Sequence, residues 1–218
     1  MNQTLTLFGS TTTTPLELIS FVLSVLTVWL NIRQTHWAWL FSILASALYG
    51  VVFFDARLYG DMGLQLVFVA VSVWGWYQWL RGDDGHAGLA VSALSRRGLA
   101  FAAIGWLLGY ALLAWFLKAY TDTDVPNADA FLTAGSLVGQ LLLSRKKIEN
   151  WHVWIIVDVL YVALYLHKEL TLTAILYAVF VLMAVAGLRA WQRDIGKDGG
   201  KGSGKNGGKD AGDAMVLP

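Results

Sequence analysis

Five side chains that could bind a small organic molecule recur at helical spacing in the second half of the chain. They are Trp151, Trp154, Asp158, Tyr161 and Tyr165, at steps of three, four, three and four residues. On an α-helix this spacing places all five on one face. Aromatic rings can stack on a flat ligand or attract a cation, and a carboxylate can offset positive charge or accept hydrogen bonds from hydroxyl groups. The pattern predicts one wall of a ligand site.

Asp158 carries the strongest functional signal in this stripe. A charged side chain at the centre of a bilayer costs about 2.5–3.5 kcal/mol on insertion scales. Asp158 follows Trp151 by seven residues, which is roughly 10 Å along a helix axis, so it is too deep to be interfacial. A structural carboxylate bonded to a neighbouring helix is the alternative. Because Trp154 and Tyr161 flank it on the same face, we favour ligand binding.

The composition of the chain indicates an integral membrane protein. Of its 218 residues, 56% are hydrophobic and only 14% are charged, with a mean hydropathy of +0.55. Soluble domains are typically about a quarter charged. The sequence has no cysteine, which excludes disulfides and thiolate sites. A net charge of +1 argues against nucleic acid as a partner and leaves the lipid bilayer and a small-molecule substrate.

Seven stretches meet or approach the roughly 20 apolar residues that a transmembrane helix needs. They are 15–32, 37–54, 62–80, 98–118, 129–144, 151–167 and 171–191. The remaining segments are a polar lead over 1–14, the loops and linker helix of 81–128, and a flexible tail rich in glycine and lysine over 192–218. Basic residues near the span ends predict an N-terminus outside the cell and a cytoplasmic C-terminus.

An internal repeat organises the spans. A shift of 112 residues aligns 39–79 with 151–191 at 12 identities in 41 positions, including Trp39 with Trp151 and Tyr49 with Tyr161. Residues 15–80 and 129–191 are therefore predicted to be two three-helix units in the same orientation, joined by the fourth span. Carriers built from such parallel repeats place the substrate near the bilayer midplane, between the repeats. The predicted fold is an all-α membrane protein with a 3+1+3 arrangement.

Polar and aromatic groups on the other spans are predicted to complete the site. The further candidates are Gln65 and Trp76 in span three, Trp39, Ser42, Ser46 and Tyr49 in span two, and Ser136 and Gln140 in span five. Helix–helix hydrogen bonding is the alternative for the serines. We assign Trp79 and Trp191 to the aromatic belt at the membrane interface.

Two segments resemble the PnuC family of bacterial nicotinamide riboside transporters. These are GLQLVFVAVSVWGWYQW at 63–79 and NWHVWIIVDVLYVALYLHKELTLTAILYAVF at 150–180. The likeness covers essentially all seven spans, and the GWYxW and NWxxW motifs are specific when they occur together.

The resemblance implies uptake of nicotinamide riboside across the bacterial inner membrane by facilitated diffusion, with intracellular phosphorylation as the trap. It also implies a SWEET-like fold, a homotrimer, and neither enzymatic activity nor a cofactor. Carried over by motif, the candidate substrate contacts are Gln65, Asn150, Trp151, Trp154 and Asp158. Relatives with similar motifs move thiamine, riboflavin or deoxynucleosides, so these substrates remain alternatives.

Other classes of seven-span protein fit less well. A retinal photoreceptor needs a lysine in span seven for its Schiff base, and 171–188 contains none. A haem or metal enzyme needs histidines within the spans, but His36, His86, His152 and His167 lie in loops or at predicted helix ends. A proton-coupled carrier that uses Asp158 remains open.

Overall fold

The computed structural model describes residues 5–7, 11–13, 15–55, 59–81, 89–121, 123–167 and 171–203. Seven helices account for most of them: α1 (Pro15–Ile32), α2 (Trp37–Asp55), α3 (Tyr59–Arg81), α4 (Arg96–Tyr120), α5 (Pro126–Ser144), α6 (Glu149–His167) and α7 (Thr171–Ser203). Two three-residue strands, β1 (Leu5–Leu7) and β2 (Thr11–Thr13), pair antiparallel ahead of α1. Each helix coincides with one predicted span.

The helix limits differ from the predicted spans chiefly at the two ends of the chain. The segment predicted as a polar lead contains the β1–β2 hairpin. The final helix continues past Trp191 to Ser203, so the segment predicted as a flexible tail begins as helix. The rest of that tail, 204–218, lies outside the described residues. By length and mean hydropathy, two helices of the described part could cross a membrane, Arg96–Tyr120 and Thr173–Ile195.

Local signals in the sequence explain several helix boundaries. The Ser95 hydroxyl caps α4 by accepting a hydrogen bond from the Gly98 amide at 3.1 Å. Proline at the start of α5 lacks the amide hydrogen that a first-turn residue cannot use within the helix. The short turns after α1 and α5 contain Gln34 and Lys146, which both adopt positive φ angles of 54° and 47°. These two positions are 112 residues apart, so the two copies turn in the same way.

Six helices close into a ring, and the fourth lies outside it. Around the ring α1 packs on α2, α2 on α3, α3 on α5, α5 on α6, α6 on α7, and α7 back on α1. The linker helix α4 packs on α5, and most of its apolar side chains are exposed on the protein surface. The two predicted three-helix units therefore meet along two seams, α3 with α5 and α7 with α1.

Four indoles pack together in the core, at the end of the bundle that carries the two turns; we call this the tryptophan end. Trp39 meets Trp79 edge-to-face at 5.5 Å, and their counterparts Trp151 and Trp191 meet edge-to-face at 5.4 Å. Trp79 and Trp191 are 5% and 0% exposed. Their assignment to an interfacial belt was wrong, because both rings point into the seams between the units.

The two seams make reciprocal hydrogen bonds at this end. The Trp79 indole donates from α3 to the carbonyl oxygen of Leu143 in α5 at 3.1 Å. The Trp191 indole donates from α7 to the carbonyl oxygen of Asn31 in α1 at 3.3 Å. Both donors and both acceptors are 112 residues apart. Each unit thus supplies one donor and one acceptor to the other.

Candidate functional site

A cavity of about 1270 Å³ lies inside the ring of helices. Residues from all seven helices line it, and the α4 contribution comes from the end of that helix near Tyr120. Pockets for small organic ligands usually measure about 300–1000 Å³. The cavity therefore has room for a vitamin-sized molecule with space remaining.

Helix α6 supplies one wall of the cavity. All five members of the aromatic and acidic stripe line it: Trp151, Trp154, Asp158, Tyr161 and Tyr165. Outward-facing positions of the same helix carry exposed apolar residues such as Ile156 and Val159. Gly139 of α5 leaves room for Trp154, because a Cβ at that glycine would stand 3.1 Å from the indole. The wall is thus preformed by packing against α5.

A polar network joins three helices beside the cavity. The hydroxyl oxygens of Ser42 and Ser72 are hydrogen-bonded at 2.9 Å, joining α2 to α3. The Gln140 amide nitrogen donates to the Ser72 hydroxyl at 3.4 Å, joining α5 to the same group. Gln65 also lines the cavity. These groups can exchange their mutual hydrogen bonds for bonds to ligand hydroxyls or an amide.

Buried polar atoms without hydrogen-bond partners lie beside the cavity at the tryptophan end. Trp39 and Trp151 line the cavity while being 1% and 2% exposed. Their indole nitrogens are buried without a hydrogen-bond partner, and so is the side-chain oxygen of Asn31. Leaving such groups unpaired is costly, and a polar ligand would satisfy them. The tryptophan end therefore holds two symmetry-related donors and one acceptor buried behind the cavity surface.

The charge of the cavity is one-sided. Its described lining residues include two carboxylates, Asp129 and Asp158, and no lysine, arginine or histidine. In a site partly shielded from water, carboxylates attract cations and repel anions. The lining therefore suits cationic or uncharged ligands and disfavours phosphate groups.

Eleven of the fourteen candidates named from the sequence line this cavity: Trp39, Ser42, Ser46, Gln65, Ser136, Gln140, Trp151, Trp154, Asp158, Tyr161 and Tyr165. Asn150 and Trp76 lie outside the lining. Asn150 is fully buried and donates to the Lys147 carbonyl at 2.6 Å. Trp76 packs 6.3 Å from Trp37. Tyr49 belongs to α2, but its side chain is outside the described part of the chain.

Several polar lining residues were missed from the sequence, among them Asn31, Asp129 and Tyr177. Asn31 and Asp129 lie near the ends of predicted spans, and neither was predicted as a site residue. A signal for Tyr177 was present, because the repeat aligns it with the candidate Gln65.

The family model for nicotinamide mononucleotide transporters matches residues 14–193. This chain belongs to that family. Among similar proteins, the riboflavin/roseoflavin transporter RibM of Streptomyces davaonensis is 29% identical over 80% of this chain and 83% of its own length. The nicotinamide riboside transporter PnuC of Escherichia coli is 24% identical over 81% of this chain and 84% of its own.

A solved structure confirms the fold. The crystal structure of the vitamin B3 transporter PnuC superposes with a TM-score of 0.67 at 22% identity, covering 84% of this chain and 82% of the other. The prediction of an all-α, seven-helix membrane protein is therefore confirmed, whereas the parallel 3+1+3 repeat stays a prediction. As a member of this family the protein is a multi-pass transporter of the bacterial inner membrane, not an enzyme.

Proposed function

We propose that this protein takes up nicotinamide riboside, a flat cationic ring joined to a ribose, across the inner membrane. The observation that carries the proposal is the cavity lining, which combines aromatic faces and two carboxylates with no described basic side chain. The family membership and the substrate of the PnuC relatives support it.

Each part of the ligand has a matching group in the proposed pose. The pyridinium ring stacks on Trp154, and Asp158 offsets its charge. The Gln65 amide pairs with the carboxamide from α3. The ribose hydroxyls replace bonds within the Ser72–Gln140 network. Trp39 and Trp151 bound the site at the tryptophan end.

We propose facilitated diffusion with intracellular phosphorylation as the trap. Phosphorylation adds negative charge, which Asp129 and Asp158 repel, and the described lining has no basic group to compensate. The same argument favours the riboside over the mononucleotide that gives the family its description. We propose that the protein forms a homotrimer in the lipid bilayer. The basic residues near the span ends predict an N-terminus outside the cell and a C-terminus inside it.

A riboflavin carrier is the second candidate. RibM is 29% identical to this chain. The cavity of about 1270 Å³ is larger than nicotinamide riboside requires, which leaves room for riboflavin. A proton-coupled carrier that uses Asp158 differs in one measurable property, the response of uptake to a pH gradient in liposomes that contain no kinase.

The test is equilibrium binding of nicotinamide riboside, nicotinamide mononucleotide, riboflavin, thiamine and thymidine to the purified protein. We expect the riboside to bind most tightly and Trp154→Ala to weaken it about tenfold or more, since a desolvated cation–π contact contributes about 2 kcal/mol. The control is Trp115→Ala, because Trp115 is 60% exposed on α4. Equal losses in the two variants, or tighter binding of the mononucleotide, would contradict the proposal, and tightest binding of riboflavin would favour the second candidate.

A further inference from the structure

Three phenol rings cluster at the end of the cavity away from the tryptophans; we call this the tyrosine end. Tyr161 and Tyr165 of α6 are stacked at 5.7 Å with planes 15° apart. Tyr177 of α7 lies 4.6 Å from Tyr161 and 5.2 Å from Tyr165. All three line the cavity. The cluster therefore presents several aromatic faces and hydroxyl groups to the same space as the indoles.

The far part of the tyrosine end is too distant from the tryptophan end for one small ligand to contact both. Tyr165 follows Trp154 by eleven residues and Trp151 by fourteen. At 1.5 Å per residue these separations are roughly 16 Å and 21 Å along α6. A ligand whose ring stacks on Trp154 leaves the tyrosine end unoccupied, and the cavity of about 1270 Å³ exceeds what one such ligand fills.

A carboxylate gives the tyrosine end its charge preference. Asp129 of α5 lines the cavity there and lies within electrostatic range of Tyr161. The Thr123 hydroxyl donates to the Asp129 side chain at 2.6 Å and so orients it. Aromatic faces beside a carboxylate, with no basic side chain among the described lining, form an environment for a flat organic cation.

We propose that Tyr161, Tyr165, Tyr177 and Asp129 form a second binding site, which takes the cationic aromatic ring before it reaches Trp154. The inference rests on the proposed function and adds to it a path with two successive binding sites. The tyrosine end selects the charged ring, and the ribose and carboxamide are recognised afterwards by the site around Trp154.

The test is calorimetric titration of the full-length protein with nicotinamide riboside. We expect two phases, a tighter one lost in Trp154→Ala and a weaker one lost in Tyr177→Leu. Tyr177→Phe keeps the ring face and should retain the weaker phase within about threefold. Tyr110→Leu is the control, because Tyr110 packs on Phe131 of α5 outside the described lining. Cationic 1-methylnicotinamide should compete with the weaker phase at least about threefold better than uncharged nicotinamide, since a cation–π contact contributes about 0.5–2 kcal/mol.

The outcomes separate this inference from the function on which it rests. A single phase that Trp154→Ala removes and Tyr177→Leu leaves intact overturns the second site alone. Absence of binding by every ligand in the panel overturns both. If Tyr177→Leu does not fold, Asp129→Asn takes its place. A weaker phase reduced at least about threefold in Asp129→Asn supports the site, and an unchanged one overturns it.

Discussion

The reciprocal indole bonds between the two units lead to a quantitative expectation about stability. Replacing Trp79 or Trp191 by phenylalanine removes one indole N–H and keeps an aromatic ring. Each acceptor carbonyl keeps a second donor, because the Lys146 amide donates to Leu143 at 2.9 Å and the Gln34 amide donates to Asn31 at 3.0 Å. The carbonyls are therefore not left unsatisfied, and the lost bond costs about 0.5–1.5 kcal/mol rather than the larger desolvation penalty.

The two variants should therefore be destabilised to the same extent. Each should lower the melting temperature in detergent by a few degrees, at roughly 2–4 °C per kcal/mol for a chain of this size. Phenylalanine keeps an aromatic face for Lys146, whose ammonium lies 4.7 Å from the Trp79 ring centre, so the comparison chiefly reports the two lost bonds. The double variant should depart from additivity, because the two rings lie 6.3 Å apart in one cluster.

Trp106→Phe provides a matched control for this experiment. The Trp106 indole donates to the Phe131 carbonyl at 2.9 Å, which joins α4 to α5 and not one unit to the other. Its effect should add to that of Trp79→Phe, because the bond belongs to a separate contact. A large loss in one of the two seam variants and none in the other would refute the reasoning, since the geometry gives both indoles the same role.

Two further predictions concern other features of the tryptophan end. Gly75→Ala and Gly187→Ala should each destabilise the protein by about 1–3 kcal/mol, because a Cβ at either position would lie within 3.0 Å of a buried indole. Gly105→Ala, with nothing within 4 Å of the new Cβ, should instead stabilise α4 by about 0.5–1 kcal/mol. Thermal melts of the three variants check this, and melting temperatures that all shift in the same direction would contradict it. Burial lowers the pKa of Lys146 below its ordinary value of 10.5, so the folded state binds fewer protons than the unfolded chain just below that pH. Stability should consequently rise as the pH increases towards 10.5, and a Lys146→Met variant should lack this part of the slope in melts from pH 7 to 10.5.

Features that depend on periodicity were predictable from the sequence. The stripe from Trp151 to Tyr165 faces one cavity because helical spacing alone places those residues together. The positions of the seven helices followed from runs of apolar residues in the same way. Both are local properties, since they depend on residues close together in the chain.

Features that depend on which helices are neighbours were not predictable in this way. Trp79 and Trp191 have the composition and position of belt residues, and only the closure of the ring buries them. Asp129 sits near a helix start, where an acid usually faces solvent or the helix dipole. It lines the cavity because the start of α5 lies beside the end of α6. The sequence of a single helix does not indicate that α3 packs on α5 or that α7 packs on α1.

The paired seams have an evolutionary consequence. Because each unit offers the other the same donor and acceptor, the interface is isologous, like that of a two-fold dimer. Two identical half-length chains could make both bonds. Joining two copies of such a chain through one linker helix would therefore keep the interface without new contacts. Fusion also frees the copies to diverge. The repeat aligns Ser46 with Asp158 and Gln65 with Tyr177, so two similar units supply different side chains to the cavity, which suits a ligand whose two ends differ.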